Sequence, residues 1–187
     1  MSSNPATVAI PDYRTGIWKA DPVHSDVAFS LRSLMIGKAR GRFADHEVTI
    51  VTSEDPLGSS VTATIDVASI DTGNAARDKH LRSASYFDVE RYPTMTYRST
   101  GVRGSVERPL VEGELTLHGV TRQVPLTLEV NGFGPDPLGG RRVGFSATAQ
   151  LSRREFGIGD TVALDGGGVV MGDKVSISLE IQAVLQK

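Results

Sequence analysis

The sequence predicts an all-β domain, an eight-stranded antiparallel barrel carrying one short helix. Three observations lead there. Apolar residues recur with period two along most of the chain, the signature of strands with one dry and one wet face. Gly- and Pro-containing turn signals, such as Asp55-Pro56-Leu57-Gly58 and the stretch from Gly132 to Gly140, separate these runs. One segment, Asn74–Tyr86, breaks the alternation, is rich in helix formers and lacks both Pro and Gly.

In chain order, Val23, Val27, Phe29 and Leu31 form the first apolar face, followed by a shorter candidate strand over 43–52. Val61, Ala63, Ile65 and Val67 form the next, then a short strand over 94–100. Val111, Leu115 and Leu117 alternate with Glu112, Glu114 and Thr116, and Val124, Leu126, Leu128 and Val130 alternate with Pro125, Thr127 and Glu129. Val143, Phe145, Ala147, Ala149 and Leu151 make one long run, and Val175, Ile177, Leu179, Ile181 and Ala183 the last. A sheet of this kind loses its exposed edges by closing on itself. Pro125 cannot donate to a ladder and marks a bulge or an edge. The helix spans about 74–86, with Asn74 able to cap its start. Short helical turns are expected over 33–38 and 153–157.

With 187 residues, 39% of them hydrophobic and 22% charged, the chain can bury a core unaided by staples. It divides into a flexible N-terminal extension, 1–14, and a barrel domain, 15–187. The net charge of -2 gives no sign of a nucleic-acid partner. The absence of cysteine excludes disulfides, thiolate metal sites and cysteine nucleophiles. No stretch has the length of a membrane-spanning helix, so stable membrane insertion is not expected. The start, MSSNPATVAIPDYRTG, lacks the charged and apolar regions of a signal peptide, which leads to the expectation of a cytoplasmic protein.

Several motifs occur in a recognisable order: Trp18-x-x-Asp21-x-x-His24-Ser25-x-Val27-x-Phe29, Gly41-Arg42-Phe43, Arg77-Asp78-x-His80-Leu81-x-Ser83, Phe87-Asp88, Pro93, Gly113-x-Leu115-Thr116-Leu117-His118-Gly119-Val120-Thr121, Arg154-x-Phe156-Gly157 and Asp173-x-Val175-x-Ile177. From about Trp18 to Val184 the chain resembles the YceI-like family. That resemblance implies a lipocalin-like antiparallel barrel with an elongated internal pocket. It further implies a polyisoprenoid ligand, such as an isoprenoid quinone or polyprenyl phosphate, carried or stored in the interior. No catalytic cofactor is implied, and a homodimer is, since dimers are common in the family. Many members carry a histidine in the segment that here reads Leu31-Arg32-Ser33-Leu34-Met35, where this chain has Ser33.

The side chains expected to line such an interior are Val27, Phe29, Leu34, Met35, Phe43, Ile65, Leu81, Phe87, Leu117, Phe145, Phe156 and Ile177. These residues serve a filled core equally well, and only the resemblance favours a hollow one. A buried CH₂ contributes ~0.8 kcal/mol, so about ten of them supply ~8 kcal/mol, a roughly micromolar affinity before ordering costs. Arg77 and His80, three apart on the helix, share a face and can hold a phosphate or quinone oxygen if that face meets the barrel mouth; otherwise Arg77 is an ordinary solvated or ion-paired group.

Catalysis and metal binding find little support. His24, His46, His80 and His118 show no ligand spacing, and His24 and His118 suit structural hydrogen bonds. Asp165-Gly166-Gly167-Gly168 lacks the ending of a phosphate loop. There is no Gly-x-Ser-x-Gly elbow, and Ser25 and His24, adjacent in a strand, point to opposite faces. The alternatives to a carrier are an enzyme acting on an isoprenoid or small phenolic in the same cavity, and a packed-barrel stress protein without a ligand.

Overall fold

The computed structural model describes residues 10–34, 36–159 and 171–187. Twelve strand segments and one helix follow in order: β1 Gly16–Ala20, β2 Asp26–Ser33, β3 Gly37–Phe43, β4 His46–Thr52, β5 Ser60–Asp66, β6 Ile70–Asp71, α1 Ala75–Arg82, β7 Thr94–Gly104, β8 Pro109–Leu117, β9 Val120–Gln123, β10 Leu126–Pro135, β11 Arg141–Ser152 and β12 Met171–Leu185. All pairings are antiparallel. Eight segments close a ring in the order β1-β4-β5-β7-β8-β10-β11-β12, because β12 returns to β1.

The long strand β12 explains how twelve segments make an eight-stranded barrel. Its C-terminal end pairs with β1 (Lys19 opposite Val184), while Met171–Glu180 pairs with β2. Thus β1 and β2 act as one bent strand, and the bend is the Asp21 corner. There the Asp21 carboxylate accepts the Val23 N–H, and the Ser25 hydroxyl exchanges hydrogen bonds with the Gln182 backbone. The small β2-β3-β6 wing leaves the ring, and α1 follows directly from β6.

Several expectations are refined. The helix is shorter than 74–86: Asn74 caps it, accepting the Arg77 N–H, but it ends at Arg82, with Ser83 beyond it. The expected helical turn over 33–38 is instead the hairpin joining β2 to β3, because Gly37 and Lys38 pair with Ser33 and Arg32. A short 3-10 turn does form at Arg154–Phe156. Pro125 lies in the break between β9 and β10, where the partner of β8 changes. The Ile10–Arg14 stretch, read from sequence as extension, packs on the barrel. The Tyr13 hydroxyl donates to the Ser53 carbonyl at 2.6 Å, and the Arg14 carbonyl accepts from Thr52.

The Leu117-His118-Gly119-Val120 motif is a two-residue hairpin turn. His118 and Gly119 both have positive φ, 55° and 73°, the conformation a tight turn between twisted strands requires. Tyr92 packs over Gly119, where a Cβ would sit 2.7 Å from its ring, and the His118 Nδ1–H donates to the Phe156 carbonyl at 3.0 Å. The two histidines of the family motifs at the ends of the barrel are therefore structural fasteners, His24 donating to Asp21 at 2.7 Å and His118 to Phe156.

Candidate functional site: an apolar shaft through the barrel

The inward faces of the strands do not meet across the axis. They enclose a cavity of ≈ 310 Å³, within the range of small-ligand sites. Its wall is aliphatic and aromatic, supplied by every strand of the ring except β1 and by β2, β3, β6 and α1. Pro109 and Leu117, at opposite ends of β8, both line it. Eight residue steps span ~26 Å along a strand, or about 20 Å along the axis after the usual barrel tilt. The cavity is thus a narrow shaft running the length of the barrel.

Two glycine notches shape the wall. Phe29 lies across Gly41 on the neighbouring strand, where a Cβ would come within 2.4 Å of its ring. Tyr97 lies across Gly113 in the same manner, also at 2.4 Å. Each glycine lets a ring fold flat against the sheet instead of projecting to the axis, as close approach without a Cβ permits. Burial pushes the Tyr97 phenol up to about 12, so it remains a donor, and it donates to the Val124 carbonyl at 2.9 Å.

The two ends differ. At one, Trp18 is completely buried, and its indole N–H donates to Thr52 Oγ1 at 2.9 Å. Phe133 meets the Trp18, Tyr13 and Phe145 rings edge-on, with centroids 5.3, 5.2 and 6.3 Å away. Outside this cluster Arg142 bridges Asp21 at 3.1 Å and Asp136 at 3.0 Å. The His24 hydrogen bond, helped by the Val23 N–H and Arg142, holds the Asp21 carboxyl down at about 2 against the opposing effect of desolvation.

At the other end α1 covers the gap beside the wing. Leu81 and Phe87 turn into the shaft, and Phe43 stacks on Phe29 and Phe87. Arg77 reaches the rim, its Nε donating to Thr72 Oγ1 at 2.8 Å and a terminal nitrogen to the Thr72 carbonyl at 2.7 Å. Asp78, buried, accepts from the Thr72 amide and hydroxyl, and Arg82 donates to the Ala68 and Ile70 carbonyls. Arg153, 6% exposed, lines the same end and donates to the carbonyls of Gly172, Ile158 and Met171. Burial opposes ionisation of Asp173 nearby, but the Ser152 hydroxyl, the Arg154 N–H and the two arginines outweigh it and hold its carboxyl low.

Of the residues singled out from sequence, Val27, Phe29, Phe43, Ile65, Arg77, Leu81, Phe87, Leu117, Phe145 and Ile177 line the shaft. Three do not. Leu34 leaves the barrel at the end of β2, with φ of 52°, and is 48% exposed. His80, although on the same helix face as Arg77, is absent from the wall and meets the Tyr86 ring edge-on at 4.9 Å. Phe156 is fully buried, but in the core behind the wall. Ser33 is absent from the wall as well. Met35 and the Asp165–Gly168 loop lie outside the described residues. Sequence reading missed Tyr13, Tyr97 and Arg153. Tyr97 was legible as the alternate of Met95 in β7; nothing in Arg153-Arg154 says which arginine is buried. Among the described residues no group of three or more His, Asp or Glu is placed to hold a metal ion.

Comparison with known proteins gives a consistent picture. The YceI-like domain family matches residues 18–183. A UPF0312 protein of Photorhabdus laumondii is 40% identical over 134 residues, 71% of this chain and 70% of its own. Protein YceI of Escherichia coli O157:H7 is 38% identical over 136 residues, covering 72% and 71%. Among solved structures, the Campylobacter jejuni YCEI protein superposes with a TM-score of 0.73 at 25% identity, over 83% of this chain and 90% of that one. A polyisoprenoid binding domain from Saccharophagus degradans superposes with a TM-score of 0.67 at 16% identity, over 92% and 100%, a likeness of fold.

Proposed function

The chain belongs to the YceI-like domain family, and from that premise we propose that it binds a polyisoprenoid in the shaft as a carrier or store. The observation that carries this reading is the shape and chemistry of the cavity. It is long, narrow and apolar, and the charged residues that touch it are three arginines, Arg40 on β3, Arg77 on α1 and Arg153. A flexible, methyl-branched tail suits the shaft: a zigzag of ~1.5 Å C–C bonds advances ~1.25 Å per bond, so ~20 Å takes about 16 backbone bonds, or roughly four isoprene units. A longer tail folds back or protrudes. Guanidinium groups only donate hydrogen bonds, so a head with acceptor oxygens, a quinone or a phosphate, sits best at the α1 end. The likeness to the Saccharophagus degradans domain supports the same class of ligand. Binding is favoured over catalysis because the wall offers no carboxylate or histidine among the described residues to act as a general base.

The test is native mass spectrometry and organic extraction of protein purified from its own host, followed by uptake of ubiquinone, menaquinone and polyprenyl phosphate. A stoichiometric apolar adduct is expected. Leu117→Arg places a charge in the wall and is expected to abolish uptake; Ala149→Phe, which fills the shaft with apolar bulk, is expected to reduce it without introducing charge. Protein that is empty and takes up none of the three ligands overturns the proposal, and so does a folded Leu117→Arg variant with full affinity.

A further inference from the structure

The β2–β3 hairpin at the α1 end has an unusual composition for its place. Ile36 is 91% exposed and Leu34 48% exposed, neighbours at the tip of one turn in which the Ile36 N–H donates to the Ser33 carbonyl. A single exposed aliphatic residue needs no explanation, but these two stand within a segment of marked charge bias. From Leu31 to Phe43 the chain carries Arg32, Lys38, Arg40 and Arg42 and no acidic residue, in a protein whose net charge is -2. All four cations are exposed. In β3 the register puts Ala39, Gly41 and Phe43 on the inner face and Lys38, Arg40 and Arg42 on the outer one, with Arg40 both exposed and touching the shaft. Among the described residues the acids beside this segment are already engaged: Asp71, opposite Arg42 in the β3–β6 ladder, accepts from the Gly73 N–H, Asp78 from Thr72 and Asp173 from Ser152.

We propose that this hairpin is a membrane-docking tip, in which Leu34 and Ile36 enter the head-group layer of an anionic bilayer while Arg32, Lys38 and Arg40 contact its phosphates. Charge complementarity selects the partner: an apolar point ringed by cations fits a negatively charged lipid surface, and it fits neither water nor a neutral apolar protein face. The turn suits shallow entry, because its Ile36 amide already has a partner in the Ser33 carbonyl. Position gives the docking a purpose. Leu31 and Ala39, the wall residues nearest the tip on its two strands, line the shaft beside Arg77, so a docked hairpin places the α1 end against the bilayer. No helix among the described residues is long and apolar enough to span a membrane, and the proposed contact is a peripheral one.

The inference goes beyond the ligand assignment and is tested apart from it, by sedimentation of the full chain with vesicles of phosphatidylcholine alone or mixed equally with phosphatidylglycerol. Binding to the mixed vesicles, weakening as salt rises, is expected. Each basic residue near an anionic surface contributes about five-fold, so Lys38→Glu, two charge units, is expected to weaken binding ~25-fold. Ile36→Asp is expected to weaken it about ten-fold or more by removing apolar contact and adding repulsion. Both sites are solvent-exposed, and an unchanged melting temperature confirms folding. Uptake of ubiquinone from detergent should survive both substitutions, while uptake from mixed vesicles should fall. Wild-type protein that ignores both vesicle types, or variants that bind as well as wild type, overturn the proposal. So does a concentration-dependent dimer that Ile36→Asp dissolves in the absence of vesicle binding, since the tip would then face a second copy. Failure to take up ubiquinone even from detergent would count against the ligand reading and leave the vesicle result standing on its own.

Discussion

The two ends of the barrel solve opposite problems with similar materials. Both use arginine and aromatic rings. At the Trp18 end the rings meet edge-on, and Arg142 sits between two carboxylates. At the α1 end Arg77 and Arg153 bond to a threonine and to backbone carbonyls, with no carboxylate directly against either in a salt bridge among the described residues. Paired charge and interlocked rings make a rigid closure. Cations held by neutral acceptors, with the Asp78 and Asp173 carboxylates one step further off, are only partly cancelled, which suits the electron-rich head group proposed above. The difference teaches that the packed end holds the barrel together and that the α1 end, on the proposed reading, receives the head of the ligand.

If that division holds, truncation at the two ends should separate stability from binding. Trp18→Ala removes the largest fully buried side chain and leaves Thr52 without its donor. A loss of ~3–5 kcal/mol is expected, read by urea denaturation. Arg77→Ala removes two bonds to Thr72 at an exposed position, where surface interactions contribute ~1 kcal/mol or less. It is expected to leave the urea midpoint nearly unchanged while weakening uptake of a polyprenyl phosphate about ten-fold, the value of one charge-assisted bond. Equal losses of stability from the two substitutions would remove the distinction between the ends.

Between the ends, the glycine notches set how much hollow remains. Gly41→Ala puts a Cβ into the space of the Phe29 ring. The ring must swing toward the axis, costing ~1–3 kcal/mol as overpacking does and narrowing the shaft. The expected readout is a lower melting temperature together with reduced uptake of long-tailed ligand. Phe29→Leu in the Gly41→Ala background should restore both, because the smaller side chain clears the added methyl. A Gly41→Ala variant with unaltered uptake would show that Phe29 does not bound the shaft.

Much of this was legible in the chain. The six alternating runs and the two shorter candidates map onto the principal strands because a half-buried sheet writes its inside and outside directly into sequence with period two. Ten of the expected lining residues follow from that alternation, together with the helix segment. The failures have physical causes of their own. Leu34 belongs to an apolar run, but a positive φ at the strand end turns it out of the barrel, and no local signal marks that turn. Phe156 is as apolar as any wall residue, yet it sits behind the wall in a 3-10 turn, where period-two reasoning does not apply. The segments β1, β3, β6 and β9 do not read as strands because each is short or interrupted by charge, and β1 and β6 are in addition held only by neighbours distant in sequence. Arg153 was invisible for a different reason: a buried arginine is revealed by the carbonyls around it, and these come from three other positions on the chain.

The smallest expected effect again tests the packed end. Asp21 has its carboxyl held at about 2, below the ordinary value of 3.8, first by His24 and further by the Val23 N–H and Arg142. Because the folded value is the lower one, the unfolded chain binds the proton more readily. The stabilisation is therefore fully present above about pH 4 and is lost as pH falls toward 2. The carboxylate stays partly accessible, so solvent screening limits the effect to below ~1 kcal/mol. Asp21→Asn should be less stable than wild type near neutral pH, and the difference should shrink as the pH is lowered through that window, as followed by urea midpoints. Loss of the Asp21 charge also leaves Arg142 with Asp136 and the neutral Gln182 side chain, so Arg142→Gln and Asp21→Asn should not add when combined. Strict additivity would mean that the corner and the β10–β11 turn are held independently, and that the packed end is two fastenings instead of one.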